Sequence, residues 1–230
     1  MTRTERAHEL ARRFPKIYPD AHCELDFRSP LDLLVATMLS AQCTDKRVNI
    51  VTKDLFRRCK SARDYAEISQ EELEGVVRSA GFYRNKAKNI RAMAAKLIAE
   101  HDGSVPRSRD ALAALPGVGR KTGNVVLGNA FGIEEGVVVD THVSRVSSRL
   151  GLTKHVDPPK IESDLMKLFP GDQWTLLSHW LIWHGRRRCF ARKPDCSHCE
   201  LFDLCPAGVK LLGKSPSPAR NRGVPAPRRH

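Results

Sequence analysis

The chain has 230 residues, 41% of them hydrophobic and 28% charged, which is ordinary for a water-soluble globular protein with one large domain or two small ones. Its apolar runs, such as 31–39, fall far short of the roughly 20 residues that span a bilayer, and no apolar segment follows Met1-Thr2-Arg3-Thr4-Glu5-Arg6, so a soluble intracellular protein is expected. The formal net charge of +13 calls for a polyanionic partner, and without a lipidation motif or a basic amphipathic helix that partner is nucleic acid rather than a membrane surface.

Helix signals recur along the chain. Ser29-Pro30 supplies an N-cap followed by proline at the first helical position and opens an apolar run ending near Gln42. Thr44 or Asp45 caps the next helix, with Val48, Val51, Leu55 and Phe56 at helical spacing. Ser69 and Glu72 read as a capping box before Leu73, Val76 and Val77, with Gly81 as the stop. From Tyr83 to about His101 the pattern is amphipathic, with Ile90, Met93, Ala94, Leu97 and Ile98 inward and Gly103 ending the helix. Strand candidates are few. The best, Val137-Val138-Val139, is short enough to be a buried extended segment, so the fold class is all-α.

Leu112 to Thr122 carries the most information. A short helix capped by Ser108 or Asp110 is broken at Pro116-Gly117, and Gly119 permits a tight approach before Arg120 restarts a helix. Two helices thus meet across Pro-Gly-Val-Gly, whose backbone N–H groups and following helix N-terminus suit a DNA phosphate; an ordinary turn between packed helices has the same pattern. Lys121 sits in the first helical turn beside Arg120, where the helix dipole and the like charge both disfavour the ammonium form. That prepares an amine to act as a nucleophile, although a solvated lysine contacting phosphate fits the same position. Further on, an apolar run delivers Asp140 to the start of another helix, as an N-cap or as a carboxylate that supports a cation on a sugar.

Of the seven cysteines, Cys23, Cys43 and Cys59 are scattered, and the rest follow the spacing Cys189-x6-Cys196-x2-Cys199-x5-Cys205. An odd count argues against a disulfide framework, and four clustered thiols can hold zinc or an iron–sulfur cluster. Arg192 and Lys193 lie inside the first loop, after Arg186, Arg187 and Arg188, so a group that folds this loop would present cations to phosphates. Beyond Leu212 the Pro/Ser/Arg-rich composition predicts disorder, and the basic tail is set at 208–230.

Taken together, Leu-Pro-Gly-Val-Gly-Arg-Lys-Thr at 115–122, Val-Asp-Thr-His at 139–142 and the cysteine spacing resemble the endonuclease III family of helix–hairpin–helix DNA glycosylases. Leu39-Ser40-Ala41-Gln42 and Ala80-Gly81-Phe82-Tyr83 extend the likeness, which covers residues 5–207. The resemblance implies two helical domains, a six-helix barrel over 24–135 and a cluster domain from 1–23 and 136–207, with the active site in the cleft between them. It implies a bifunctional glycosylase and abasic-site lyase that removes oxidised pyrimidines from double-stranded DNA as a monomer. Lys121 matches the Schiff-base nucleophile, Asp140 the catalytic aspartate, and Cys189, Cys196, Cys199 and Cys205 the ligands of a 4Fe–4S cluster.

The DNA contacts it implies are Gln42, Phe82, Gly117, Gly119, Arg120, His142, Arg145, Arg192 and Lys193. Gln42 matches the residue inserted where a damaged base is flipped out. Phe82 stands where many relatives carry leucine, with a core aromatic as its other reading, and Ala113 where some carry an acid; both departures bear on damage preference. Two rivals remain in view: an adenine-mismatch glycosylase, which typically lacks the lysine and has an extra C-terminal domain, and a non-catalytic iron–sulfur redox sensor that binds DNA.

Overall fold

The computed structural model describes residues 1–212. Among them there is no β-strand; helices and short helical turns carry the fold, in two compact units. One unit is Cys23–Glu135, and the other joins Met1–His22 to the chain from Gly136 onward.

The Cys23–Glu135 unit is arranged around α2 (Pro30–Leu39), which starts where Ser29 Oγ accepts from the Asp32 N–H at 3.1 Å. Such a cap contributes about 1 kcal/mol. Every residue from Leu31 to Leu39 is buried, Asp32 and Thr37 included, so α2 is enclosed on all sides and serves as the unit's central helix. Around it stand α3 (Asp45–Arg58), α6 (Tyr83–His101) and α8 (Arg120–Val126), while α4 (Ala62–Glu67) and α5 (Gln70–Val77) pack on α6. The short α7 (Arg109–Ala113) packs on α8, which runs into a π-helical turn over Leu127–Phe131.

Two local readings change. Ser69 caps α5 by accepting from the Glu72 N–H, but the Glu72 carboxylate turns instead toward Arg58, 3.5 Å away, so only half of the capping box forms. Ile98, expected to face inward, is 38% exposed.

The other unit combines α1 (Arg3–Ile17), α9 (Thr141–Arg149), α10 (Pro158–Leu168), α11 (Trp174–Arg187) and α12 (Pro206–Leu212). Leu10, Phe14 and Tyr18 of the N-terminal segment are fully buried, each such burial contributing about 1.5–3 kcal/mol. Phe14 stacks on Trp180 of α11 with ring centroids 5.8 Å apart. Val137 and Val138 form a buried extended segment, and the Val138 N–H donates to Ser178 Oγ at 2.9 Å instead of pairing with a strand. Helix α12 takes in residues 208–212, which composition had grouped with a disordered tail; Gly208 fits against the Phe202 ring there. The expectation of disorder at 213–230 lies outside the described residues.

Candidate functional site

In the Cys23–Glu135 unit, the hairpin between α7 and α8 runs from Leu115 to Gly119. Leu112, Leu115 and Val118 are buried and hold it against the core, while Gly117, Gly119, Arg120 and Lys121 stay exposed. Gly117 has φ +73, and a Cβ there would stand 2.8 Å from Asn89 Cβ, so both backbone conformation and packing call for glycine. Gly119 differs: its φ is −99, and a Cβ there would meet nothing within 4 Å. The close approach read from the sequence therefore belongs to Gly117, and Gly119 leaves open space in front of the first N–H groups of α8. Lys121 is the second residue of α8, with no hydrogen bond or ion pair for its amine among the described residues.

Two turns of the same unit carry exposed residues in left-handed conformations. Gln42, just past α2, has φ 54, and Phe82, the N-cap of α6, has φ 48. A non-glycine residue there is uncommon and costs of order 1 kcal/mol or more, so its surroundings must hold it. Phe82 is 65% exposed, which rules out the core-aromatic reading. Between the turns lies Lys86, a cation placed at i−4 and i−7 to Ile90 and Met93 and so on the apolar face of α6. It is buried, and its Nζ donates to Leu39 O and to Ala80 O, both at 2.8 Å.

In the second unit Asp140 is the N-cap of α9, its Oδ1 accepting from the Val143 N–H at 2.8 Å. The other carboxylate oxygen has no partner among the described residues. His142 is half-buried against Gly185, where a Cβ would stand 2.9 Å from His142 Nδ1. Arg145 directs its guanidinium inward, to Cys189 O, Gly185 O, Thr141 O and His142 Nδ1 at 3.0–3.4 Å, so its donors serve the protein rather than an outside phosphate.

The four clustered cysteines line one cavity together with Arg149, His184 and Arg188. Arg149 Nη1 donates to Cys189 Sγ at 3.3 Å and to Phe190 O at 2.7 Å, and its Nη2 donates to Ala191 O at 3.1 Å. Arg188, expected to face phosphates, is buried and bound to Glu200 at 2.9 Å and Asp195 at 3.5 Å. Arg187 lies 3.7 Å over the Trp183 ring. Of the cations in and just before this loop, Arg186, Arg192 and Lys193 are the exposed ones, and Lys193 has φ 50.

Burial pushes the Cys199 thiol up to about 12, and burial followed by the neighbouring Cys189 and Cys205 thiols raises Cys196. Cys205 also rises through burial. Such thiols ionise against a positively charged group, which a metal cluster supplies. Among the described residues no group of three or more His, Cys, Asp or Glu side chains could hold a lone metal ion.

A model of the HhH-GPD superfamily of base excision DNA repair proteins matches residues 35–171. The chain is 53% identical over 206 residues to the endonuclease III of Synechocystis sp. (strain ATCC 27184 / PCC 6803 / Kazusa), covering 90% of this chain and 94% of that one. This chain belongs to the endonuclease III family. Among solved structures, it matches a non-covalent endonuclease III–DNA complex at a TM-score of 0.88 and 47% identity, over 93% of this chain and all of that one. A trapped endonuclease III–DNA covalent intermediate, in an estranged-adenine complex, matches equally well at a TM-score of 0.88 over 92% of this chain. Among the described residues of this endonuclease III family member, no helix is long and apolar enough to cross a membrane.

Proposed function

We propose that this chain is a base-excision DNA glycosylase with abasic-site lyase activity, and that it removes oxidised pyrimidines from double-stranded DNA. The observation that carries the reading is Lys121: an exposed amine without a partner among the described residues, one residue into the helix that follows a glycine hairpin, in a chain of this family. Lys121 Nζ attacks C1′ of the damaged nucleotide, the glycosidic bond breaks, and the base leaves with its electron pair and takes up a proton. The nitrogen lone pair then expels O4′, so that the C1′–O4′ bond breaks, O4′ takes up a proton and the opened sugar is held as an iminium, which acidifies the C2′ proton. Loss of that proton drives β-elimination, in which the C3′–O bond breaks and the 3′ phosphate departs. Asp140 receives the proton of the attacking amine and supports positive charge on the sugar through the oxygen that its cap leaves free. One lysine thus accounts for both activities.

Gln42 and Phe82 enter the stack that the flipped nucleotide vacates. The N–H groups opened by Gly117 and Gly119, with Arg120, bind a backbone phosphate, and Arg192 and Lys193 bind others. His142 is proposed to contact the DNA, while Arg145, bound to Cys189 O, positions the start of the cysteine loop. Cys189, Cys196, Cys199 and Cys205 would hold a 4Fe–4S cluster, which supplies a structural cross-link that orders the loop. Four thiols lining one cavity support this assignment.

Borohydride trapping on a duplex with one thymine glycol tests the reading. Wild-type protein should become covalently fixed to the DNA, and Lys121→Ala should abolish both trapping and strand cleavage. Trapping that survives in the variant, through a different lysine, would overturn the assignment. Purified protein should contain about four irons per chain, as one cubane on four thiolates requires. A colourless, zinc-loaded and fully active preparation would refute the cluster.

A further inference from the structure

Among the described residues, Lys86 is a cation with no carboxylate to answer it. Its Nζ lies 2.8 Å from two backbone carbonyls, Leu39 O at the end of α2 and Ala80 O at the end of the 3₁₀ turn Arg78–Ala80. Carbonyls at helix ends lack partners within their own helix, and a buried ammonium is tolerated only when its protons are used. Here one side chain satisfies two orphan acceptors that belong to two different turns. The turn after Leu39 leads to Gln42, closed by the Cys43 N–H on Ser40 O at 3.0 Å; the turn after Ala80 leads through Gly81 to Phe82. The backbone N–H of Lys86 itself donates to Phe82 O at 3.1 Å, so the residue grips the second turn twice.

We infer that Lys86 is a positioning residue for base extrusion: its ammonium joins the Leu39 and Ala80 carbonyls and so fixes the spacing of the turns that present Gln42 and Phe82. The inference rests on the proposed reading of Gln42 and Phe82 as the residues that enter the stack. Both hold left-handed backbones while exposed, so contacts within their side chains do not keep them there. The attachment must come from behind, and Lys86 supplies it to both. Without the staple each turn would still close on itself, but the separation of the two side chains would no longer be set.

The test compares two substrates that differ in what must be extruded. One duplex carries thymine glycol, where a base leaves the stack, and the other carries a preformed abasic site, where none does. Single-turnover rates are measured for each, with active sites counted by borohydride trapping so that unfolded protein drops out. In Lys86→Met the ratio of base excision to abasic-site cleavage should fall at least tenfold, and 2-aminopurine opposite the lesion should report slower opening. Gln42→Ala should lower the same ratio, and combining it with Lys86→Met should lower it little further. Met93→Ala, a buried cavity variant on the same helix, should lose stability and keep the ratio. If Lys86→Met does not yield folded protein, Lys86→Arg, which keeps the donors but lengthens the reach, should show a smaller fall in the ratio. An unchanged ratio in whichever Lys86 variant folds would overturn the staple. Wild-type protein that releases no damaged base would instead overturn the functional reading, and this inference with it.

Discussion

Gly117 lies so close to Asn89 that a Cβ on the glycine would stand 2.8 Å from the asparagine Cβ, whereas Gly119 faces no protein atom within 4 Å. The two glycines of one hairpin therefore serve different ends. Gly117→Ala must adopt φ +73 and displace Asn89, so it should destabilise the protein by about 2 kcal/mol in denaturant unfolding. Gly119→Ala, which replaces the N-cap of α8 without a clash, should cost no more than about 1 kcal/mol, yet bind duplex DNA at least tenfold more weakly. A Gly119→Ala protein that bound DNA normally would remove this hairpin from the interface.

Asp140 has two oxygens with separate duties. Oδ1 caps α9 through the Val143 N–H at 2.8 Å, and asparagine caps as well as aspartate. Asp140→Asn should therefore keep its stability and its binding to an abasic analogue while base release falls by orders of magnitude. Asp140→Ala should lose about 1 kcal/mol in addition. If Asp140→Asn loses stability in proportion to activity, the residue is structural and the catalytic carboxylate lies elsewhere.

Arg192 and Lys193 are exposed cations on the cysteine loop. Replacing both with glutamine should weaken binding to damaged and undamaged duplex alike. The slope of log affinity against log salt should become shallower by about 1.8, at roughly 0.9 per phosphate contact. A selective loss on damaged DNA would assign them to recognition rather than docking.

Much of this was legible in the sequence because it is local. Ser29-Pro30, Thr44 and Ser108 mark helix starts through their own side chains, and each caps the helix it announced. The hairpin, Asp140 at a helix start and the thiols in one loop follow from spacing alone. What the sequence withheld depends on distant partners. Lys86 lies on the apolar stripe of its helix and Lys88 does not, but the carbonyls from two other turns that accept from the buried amine are not written in that spacing. Arg145 and Arg188 look like phosphate contacts until their internal acceptors are seen. The Glu72 carboxylate likewise left its own cap for Arg58 on another helix.

His179 on α11 gives a pH signature. Burial, with a smaller contribution from His22, holds its imidazole down at about 4, against 6.5 in an unfolded chain. Its folded form is thus neutral. As pH falls through 6.5 toward 4, the unfolded chain takes up a proton that the folded chain refuses, so stability is present above that window and lost on acidification. At 1.36 kcal/mol per unit the loss is at most about 3 kcal/mol. Urea unfolding between pH 7 and 4.5 should show a shallower decline in His179→Gln than in wild type. Parallel declines would mean that the imidazole is not a source of acid sensitivity.

The unit that carries Asp140 and the cysteines is assembled from both sides of the other one in sequence. Phe14 is buried in the same core as Trp180 and stacks on it, yet all of Cys23–Glu135 is synthesised between them. On the ribosome the middle unit can therefore complete its core while α1 still waits for α11, leaving Leu10, Phe14 and Tyr18 exposed until α11 emerges. The order of synthesis thus makes the hairpin lysine's unit foldable first and leaves the thiol loop until after α11. A nascent chain stalled before α11 emerges should hold a protease-resistant middle and a cleavable N-terminal segment.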